Sequence, residues 1–318
     1  MQGVIKMVKV LFVTPVPEEA KARFQSIPDA DITFKERQTV TEEDLKDVEV
    51  ILGNLPLSLL NTCDTLKWIQ LDSAGANTYS DLREEVILTN ASGAYGEAIS
   101  EHMVGCAFMV MKNLARYIEV QRNHDFTNLG GVNTLSISKV LSVGMGDIGS
   151  NFAQKMHALG AEVYGVRRSV HDTPAYVKKM YTMENMDEIL PKCDIVALSL
   201  PETAETIHLF DEERLRKMKK GAILINVGRG SAIVTDALYK IMKEEYLSGA
   251  CLDVTDPEPL PRNHPLWNTK HVYITPHISG RFNAQVTFDK VINIFYNNLM
   301  NYLQKKPLEN IVNKKLGY

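Results

Sequence analysis

The feature that most constrains the fold is an alternation of short runs rich in valine and isoleucine with segments of helical period. Such alternation is typical of α/β proteins, in which strands joined by helices pair in parallel. The runs fall into two series, at 8–13, 48–52, 68–71 and 86–89 and then at 140–143, 163–166, 195–200, 223–227, 250–254 and 272–275. Two series of strands predict two sheets, and hence two domains.

Two other segments have the spacing of long helices. Residues 97–121 join the two series of strands, and residues 284–303 follow the second series. A single terminal helix rarely makes a domain alone, so we expect the last helix to return to the first domain. The sequence therefore predicts a substrate domain of residues 1–96 and 282–318, into which a dinucleotide-binding domain of residues 97–281 is inserted.

Charge and composition exclude several classes of protein. The 35 Lys and Arg nearly balance 39 Asp and Glu, and the formal net charge is -4, so no nucleic-acid partner is expected. A hydrophobic content of 45% is too high for a disordered chain. The most apolar later stretch, residues 103–111, is shorter than the ~20 residues that cross a bilayer, so no membrane role is expected.

The four cysteines lie far apart in the chain and form no CxxC pair. This spacing argues against a zinc site or a redox dithiol, and no metal is predicted. We expect Cys63, Cys106, Cys193 and Cys251 to be buried thiols in a reducing cytoplasm. The N-terminus lacks the apolar core and cleavage site of a signal peptide.

The clearest local motif is Gly-x-Gly-x-x-Gly at residues 144–149, between a strand and an apolar helix. In this setting the motif indicates a dinucleotide site. Gly144 makes the tight turn, Gly146 admits the pyrophosphate and Gly149 allows close packing. The N–H groups of the helix start, at Asp147 and Ile148, are expected to bind phosphate. The alternative is a glycine turn in an α/β domain without a ligand.

The end of the next strand favours one cofactor. An NAD-binding domain places an acid about 20 residues beyond the fingerprint, where it binds the adenosine ribose. Here the strand ends in Arg167, Arg168 and Ser169. Two guanidiniums and a hydroxyl suit a 2′-phosphate, so NADP(H) is favoured over NAD(H). The alternative is two solvated surface arginines.

Three further strand ends carry ionisable residues. Arg229 follows the strand at 223–227, and His277 follows the last strand. Asp253 and Glu258 lie in the proline-rich segment between them. An arginine, a carboxylate and a histidine at successive strand ends are the components of an anion clamp with an acid–base pair. Tyr95, Asn54 and His102 are weaker candidates.

The motifs GMGDIG, LPET, NVGRG, LDVTDPEPLP, HPLW and TPHISG occur in the order found in the D-isomer-specific 2-hydroxyacid dehydrogenases, which this sequence therefore resembles. The likeness is strong over the last two thirds and weaker in the first third, at WIQLDSAGANTY. It implies two Rossmann-like α/β domains, with the cofactor domain inserted into a flavodoxin-like substrate domain. It also implies oxidoreduction of a small 2-keto or D-2-hydroxy acid with a nicotinamide cofactor.

The resemblance assigns roles to individual residues. Arg229 corresponds to the substrate clamp, His277 to the proton donor and acceptor, and Glu258 to the carboxylate partner of His277. Asp253 is expected to bind the nicotinamide carboxamide. Further cofactor contacts are expected at Leu200, Pro201, Thr206, Val227, Gly228 and Gly280. The substrate is expected to meet Ser73, Ala74, Gly75 and Ala76, through their backbone N–H groups, and Trp267, which is either a pocket wall or packed under a loop.

Two further expectations follow from the resemblance. One is a homodimer formed largely by the cofactor domains, because the apolar face of the 97–121 helix exceeds what one sheet contact needs. The other is a competing function, a corepressor-like NAD(P)H-sensing binding protein without significant turnover. Such proteins keep the same three residues but tend to carry disordered tails, which are not evident here. Turnover with 2-keto acids distinguishes the two functions.

Overall fold

The computed structural model describes residues 7–169, 172–280, 282 and 284–315. The chain divides into two units, one of Met1–Ala94 with Ala284–Tyr318 and one of Tyr95–Asn283. The predicted domain limits at residues 1, 281 and 318 lie outside the described residues. The assignment of the substrate to one unit and the cofactor to the other stays a prediction.

The first unit contains a parallel sheet of five strands in the order β2-β1-β3-β4-β5. The strands are β1 (Val8–Phe12), β2 (Ala30–Phe34), β3 (Val50–Leu52), β4 (Trp68–Gln70) and β5 (Ile87–Thr89), with helices α1 (Glu18–Gln25) and α2 (Leu57–Leu60). This strand order is that of flavodoxin-like sheets. Strand β2 is not apparent in the sequence because it is an edge strand, in which polar residues alternate with apolar ones.

The second unit contains seven parallel strands in the order β12-β11-β10-β9-β6-β7-β8. The strands are β6 (Lys139–Val143), β7 (Glu162–Arg167), β8 (Lys179–Thr182), β9 (Ile195–Leu198), β10 (Ile223–Asn226), β11 (Gly249–Leu252) and β12 (Val272–Ile274). Strand order reverses between β6 and β9, which creates the crevice where Rossmann-type sheets bind ligands. The predicted α/β class with two parallel sheets is confirmed. Edge strand β8 was not predicted.

The predicted long helix at 97–121 is wrong in one respect, because the structure divides it. Helix α3 (Gly96–Met111) ends at Lys112, and α4 (Leu114–Arg122) begins after Asn113. Asn113 has a left-handed backbone, with φ of 54°, which asparagine tolerates better than most residues. Met103 and Met111 are buried within the unit, so the apolar face of α3 is largely used there.

The remaining helices of the second unit are α5 (Asp147–Ala158), α6 (Glu212–Lys217) and α7 (Thr235–Lys243). They connect successive strands and cover the sheet, as parallel pairing requires. No helix in the described part of the chain is both long and apolar enough to cross a membrane.

Helix α8 (Gln285–Leu303) belongs to the first unit, as expected of the last helix. Buried Asn298 fixes it there, because its amide nitrogen donates to Oε1 of Gln70 at 2.8 Å. The same side chain binds the backbone of Glu309 in both directions, at 2.8 and 3.0 Å. Buried polar groups are stable only when bonded in this way. The network therefore ties both α8 and the segment after it to the first sheet.

Candidate active site

The three side chains predicted to carry the chemistry follow neighbouring strands of the second sheet. Arg229 lies beyond β10, Glu258 beyond β11 and His277 beyond β12. These strands are adjacent and parallel. Since the carboxyl ends of parallel strands meet at one edge of a sheet, all three residues emerge along that edge.

Glu258 and His277 form a direct pair. Oε1 of Glu258 lies 2.7 Å from Nδ1 of His277, and the side chains are 44% and 42% exposed. An ionised carboxylate only accepts hydrogen bonds, so Nδ1–H is the donor. The bond fixes the orientation of the imidazole and assigns proton exchange with a ligand to Nε2.

The backbone of His277 is held in a left-handed conformation, with φ of 52°. This conformation costs of order 1 kcal/mol or more for a residue with a side chain. The His277 N–H donates to the carbonyl oxygens of Asp253 and Thr275, both at 2.9 Å. These bonds keep the chain turned at the point where the imidazole ring leaves the sheet.

Asp253 is almost fully buried and binds the turn that carries His277. Its Oδ1 accepts from Thr275 Oγ1 at 2.6 Å and from the Ile278 N–H at 2.9 Å, while Oδ2 accepts from both the N–H and the hydroxyl of Ser279. Burial raises the pKa of Asp253, but the bonds from Ser279, Thr275 and the backbone outweigh it, and the pKa falls below its ordinary value. Four donors satisfy the carboxylate within the protein. The structure therefore shows a structural role for Asp253, and carboxamide binding stays a prediction.

The segment that presents Arg229 is fixed by the side chain of Asn226 and by close backbone packing. Asn226 binds both the Gly228 N–H, at 3.1 Å, and the Arg229 carbonyl oxygen, at 2.9 Å. A Cβ on Gly230 would lie 1.9 Å from the carbonyl oxygen of Thr255, so only glycine fits there. Arg229 itself is half-buried, and one Nη donates to the Gly228 carbonyl at 2.8 Å.

The glycine fingerprint lies between β6 and α5, as predicted. Gly144 has φ of 97°, and a Cβ there would lie 2.7 Å from the carbonyl oxygen of Ser199. A Cβ on Gly149 would lie 1.8 Å from the carbonyl oxygen of Gly144. A Cβ on Gly146 would have nothing within 4 Å. Packing therefore requires Gly144 and Gly149, whereas Gly146 borders open space.

Gly146 is the N-cap of the twelve-residue helix α5 and supplies no side-chain cap. The first N–H groups of a helix have no partner within the helix, so those of Asp147 and Ile148 are suited to an anion. The Asp147 carboxylate is committed elsewhere, since it accepts from the Gly96 N–H at 2.7 Å and from Asn151 at 3.1 Å. Any phosphate contact of Asp147 must use its backbone.

Arg167 departs from the role predicted for it. Its Nε and one Nη donate to the carbonyl oxygen of Met145, at 3.0 and 2.8 Å, and another Nη lies 3.7 Å from Asp172. The guanidinium thus braces the fingerprint loop instead of facing only solvent. Arg168 and Ser169 are exposed beyond the strand end. Asp172 was missed because it follows the strand end by five residues, outside the expected position.

The other predicted cofactor residues lie in loops that are tightly organised. Buried Leu200 packs its backbone against Gly228, where a Cβ would lie 2.6 Å from the Leu200 nitrogen. The Thr206 hydroxyl donates to the Pro201 carbonyl at 2.7 Å and so closes its own loop. Val227 is buried after β10. These contacts show loop-shaping roles and leave ligand contacts as predictions.

Two predicted residues border the His277 segment and the proline-rich loop. A Cβ on Gly280 would lie 2.8 Å from Cδ1 of Ile99, so the turn after β12 packs on α3. Trp267 is 46% exposed, and its indole N–H donates to the Pro261 carbonyl at 3.0 Å. The indole is therefore anchored to the loop with one face accessible, which differs from a ring packed under a loop.

In the first unit, the predicted substrate loop follows β4. Asn90 donates to the Ala74 carbonyl at 2.7 Å, and Ser73 Oγ donates to the Gly75 carbonyl at 2.8 Å. Among the described residues, none accepts a hydrogen bond from the backbone N–H of Ala74, Gly75 or Ala76. Ala74 and Gly75 are partly exposed and Ala76 is buried, and anion binding by this loop stays a prediction.

Sequence reasoning missed the group that supports this loop. Buried Asp72 accepts from Thr14 Oγ1 at 2.7 Å and forms an ion pair with Arg37. Asn54, predicted to face the site, binds the Asp72 N–H at 2.9 Å and Ser73 Oγ at 3.1 Å. Arg37 belongs to no recognisable motif, so no signal in the sequence identified it. Tyr95 is buried, which limits any contact with a ligand.

Comparisons with known proteins agree with this geometry. The model of the NAD-binding domain of D-isomer specific 2-hydroxyacid dehydrogenases matches residues 104–279. The glyoxylate reductase of Thermofilum pendens is 31% identical over 242 residues, which are 73% of this chain and 70% of that protein. A family protein from Aeromonas salmonicida has a crystal structure that matches with a TM-score of 0.87 and 29% identity, over 97% of this chain and 99% of that one.

A fourth comparison concerns the cofactor. The D-lactate dehydrogenase of Aquifex aeolicus, whose structure contains NAD and lactic acid, matches with a TM-score of 0.76 and 25% identity, over 93% of this chain and 96% of that one. Together the comparisons confirm the resemblance inferred from the motifs. The chain belongs to the D-isomer specific 2-hydroxyacid dehydrogenase family and is an NAD(P)-dependent D-2-hydroxyacid dehydrogenase.

Proposed function

We propose that this enzyme reduces a small 2-keto acid to the D-2-hydroxy acid, with His277 as proton donor, Arg229 as anion clamp and NADP(H) as preferred cofactor. The observation that carries these roles is the 2.7 Å pair of Glu258 and His277 at a strand end near that of Arg229. Glyoxylate is the first substrate to test, because the relative from Thermofilum pendens is a glyoxylate reductase.

The residues divide the chemistry between them. When bound, the nicotinamide cofactor supplies a hydride for the carbonyl carbon. His277 gives a proton to the carbonyl oxygen from Nε2, while Glu258 holds the ring through Nδ1. Arg229 stays protonated and binds carboxylate and carbonyl oxygens with its planar fork. The N–H groups of Ser73, Ala74, Gly75 and Ala76 receive the substrate carboxylate.

Replacing His277 by Ala tests the proton relay. We expect kcat for glyoxylate reduction to fall by a factor of about 10²–10⁴, the range for loss of a general acid, with cofactor affinity nearly unchanged. The measurements are steady-state kinetics and a fluorescence titration with NADPH. The control is His157→Ala, which removes an exposed histidine of α5. Turnover of His277→Ala within threefold of the parent would refute the assignment.

The fingerprint fits a dinucleotide on the evidence of its glycines. A Cβ at Gly146 would enter open space beside the N-terminus of α5, where a pyrophosphate is expected to approach the backbone. The Gly149 position has no such space. We therefore assign Gly146 to ligand binding and Gly149, three residues later, to packing of the helix against the loop.

These two glycines give a paired test. Gly146→Ala should leave the melting temperature within about 2 °C of the parent but weaken NADPH binding about tenfold or more, because the methyl group occupies the phosphate approach. Gly149→Ala should lower the melting temperature by several degrees, because its Cβ meets backbone. Calorimetry and NADPH titration measure both effects. Normal NADPH affinity in Gly146→Ala would contradict the predicted cradle.

The preference for NADP(H) is supported by the charge at the end of β7. No acid stands at the strand end itself, and Arg168 and Ser169 are exposed there. Arg168 is the more exposed of the two arginines, so we assign the 2′-phosphate contact mainly to it. A charged hydrogen bond contributes about 1.5–3 kcal/mol, and the lower value applies to an exposed group.

The cofactor assignment predicts different outcomes at the two arginines. Arg168→Ala should lower kcat/KM for NADPH about tenfold and leave that for NADH unchanged. Arg167→Ala should lower both by similar factors, because it loosens the fingerprint loop. Arg122→Ala, in α4, is the control. A parent enzyme that favours NADH would overturn the proposed preference for NADP(H). A selective loss of NADPH activity in Arg167→Ala alone would assign the 2′-phosphate contact to Arg167 instead.

The apolar side chains that remain exposed support a homodimer. Leu114 and Ile118 on α4 are about half exposed, and Phe126 in the following segment is fully exposed. These residues, and not the buried methionines of α3, form an apolar surface that a second copy of the second unit would cover. The expected dimer therefore uses the α4 face.

Sedimentation should return twice the 35.7 kDa chain mass at micromolar concentration. Ile118→Asp should shift the protein towards the monomer, since burial of an unpaired charge opposes association. Ile207→Asp, at another exposed isoleucine, is the matched control. A monomeric parent, or dimers of equal stability in both variants, would contradict the proposal.

A further inference from the structure

A cluster of sulfur and imidazole groups lies in the second unit outside the proposed catalytic residues. His102 and Cys106 stand four residues apart on α3, so their side chains share one face. Nε2 of His102 lies 3.5 Å from Sγ of Cys106. From β11, the Cys251 thiol donates to the Cys106 carbonyl oxygen at 3.9 Å.

This arrangement favours the ionised form of Cys106. Hydrogen bonds from Cys251 and then His102 outweigh burial and lower the pKa of the Cys106 thiol to about 5. The bond to Cys106 raises the pKa of His102. Burial has the opposite result elsewhere, since it raises the pKa of Cys193 to about 12. The electrostatics of the pair therefore favour the thiolate of Cys106 and the protonated form of His102.

Cys106 is also the most exposed of the four cysteines. Its exposed fraction is 9%, against 2% or less for Cys63, Cys193 and Cys251. Access by a small reagent is therefore expected to favour Cys106 over the other three. Ionisation and access together determine which thiol of a protein reacts.

The cluster adjoins the turn that positions the catalytic histidine. Cys251 precedes Asp253 by two residues, and the charge of Asp253 acts on both His102 and Cys106. Helix α3 also packs on this turn through Ile99, which lies beside Gly280. We therefore expect a change in charge or size at Cys106 to affect the Asp253 turn.

We propose that Cys106 is a modification site for hydroperoxides, in which His102 pairs with the thiolate and the Cys251 thiol binds the Cys106 carbonyl oxygen. The sulfur attacks the terminal oxygen of the peroxide, so that an S–O bond forms and the O–O bond breaks. The alkoxide or hydroxide that leaves takes a proton from His102. Sulfur is oxidised by two electrons to sulfenic acid, and the peroxide is reduced by two electrons to an alcohol or water.

The pH dependence of alkylation is the discriminating measurement. A low-pKa thiolate is more abundant but less nucleophilic, so its rate at a single pH is not diagnostic. An ordinary thiol with a pKa of about 8.5 becomes nearly a hundredfold more reactive between pH 6 and pH 8. The charged or titratable groups that face this cluster are His102 on α3, Cys251 and Asp253 on or beyond β11, and Tyr273 on β12.

Iodoacetamide labelling of the folded holoenzyme, followed by peptide mass spectrometry, gives the rate at Cys106 alone. We expect that rate to change less than threefold between pH 6 and pH 8, while glutathione in the same tube shows the steep profile. His102→Gln and Cys251→Ala should each restore a steeper profile, and Cys63→Ser should not. A parent profile as steep as that of glutathione would overturn the proposal.

The oxidation itself is tested with hydrogen peroxide and dimedone, which traps sulfenic acid. The adduct should form on Cys106, and glyoxylate reduction should fall at least threefold and recover with dithiothreitol. Cys106→Ser should keep its activity under peroxide. The activity measurement rests on the proposed function, whereas labelling and trapping do not. Failure of the proposed function can therefore be distinguished from failure of the modification site. A dimedone adduct absent from Cys106, or equal loss of activity in Cys106→Ser, would refute the site.

Discussion

The position of the Glu258–His277 pair depends on the hydrogen bonds of one buried carboxylate, Asp253. Asp253 stands at the end of β11 and receives four hydrogen bonds from residues just beyond β12. An ionised group away from water is stable only with such partners. The carboxylate thus binds one strand end to the next, and the left-handed turn at His277 follows from it. Glu258 follows β11 and His277 follows the neighbouring strand β12. The order of the strands therefore brings the two residues together.

The sequence was sufficient where function is determined by position along a strand. A parallel sheet places the residue after each strand at one edge, so the positions of Arg229, Glu258 and His277 at that edge were predicted without coordinates, while their roles stay a prediction. The glycine spacing at 144–149 was equally informative, because tight turns and close packing restrict side chains directly. Both predictions rest on the backbone, whose geometry a local sequence largely determines.

The partner of a side chain could not be predicted from the sequence where the fold offers several possible partners. Arg167 was expected to face a phosphate, yet it braces the Met145 carbonyl, and nothing in its neighbours along the chain indicates this. The pairing of Asp72 with Arg37 joins residues 35 positions apart and depends on the fold of the first sheet. Edge strand β2 and the break at Asn113 were missed for a related reason. The apolar pattern of β2 is weak, so tertiary packing decides whether that segment forms a strand. The helical pattern around Asn113 is continuous, and a single left-handed residue divides the helix there.

The return of α8 to the first sheet has a consequence for the order of folding. Val312 donates to the Leu88 carbonyl and Asn298 binds Gln70, so the first unit is joined from segments more than 200 residues apart in the chain. Closing a loop of that length before it has internal structure costs conformational entropy that few contacts repay. Once the intervening residues have folded as their own unit, the ends of the loop are fixed and the remaining cost is small. The second unit is therefore expected to fold first, and the first unit to be completed after it.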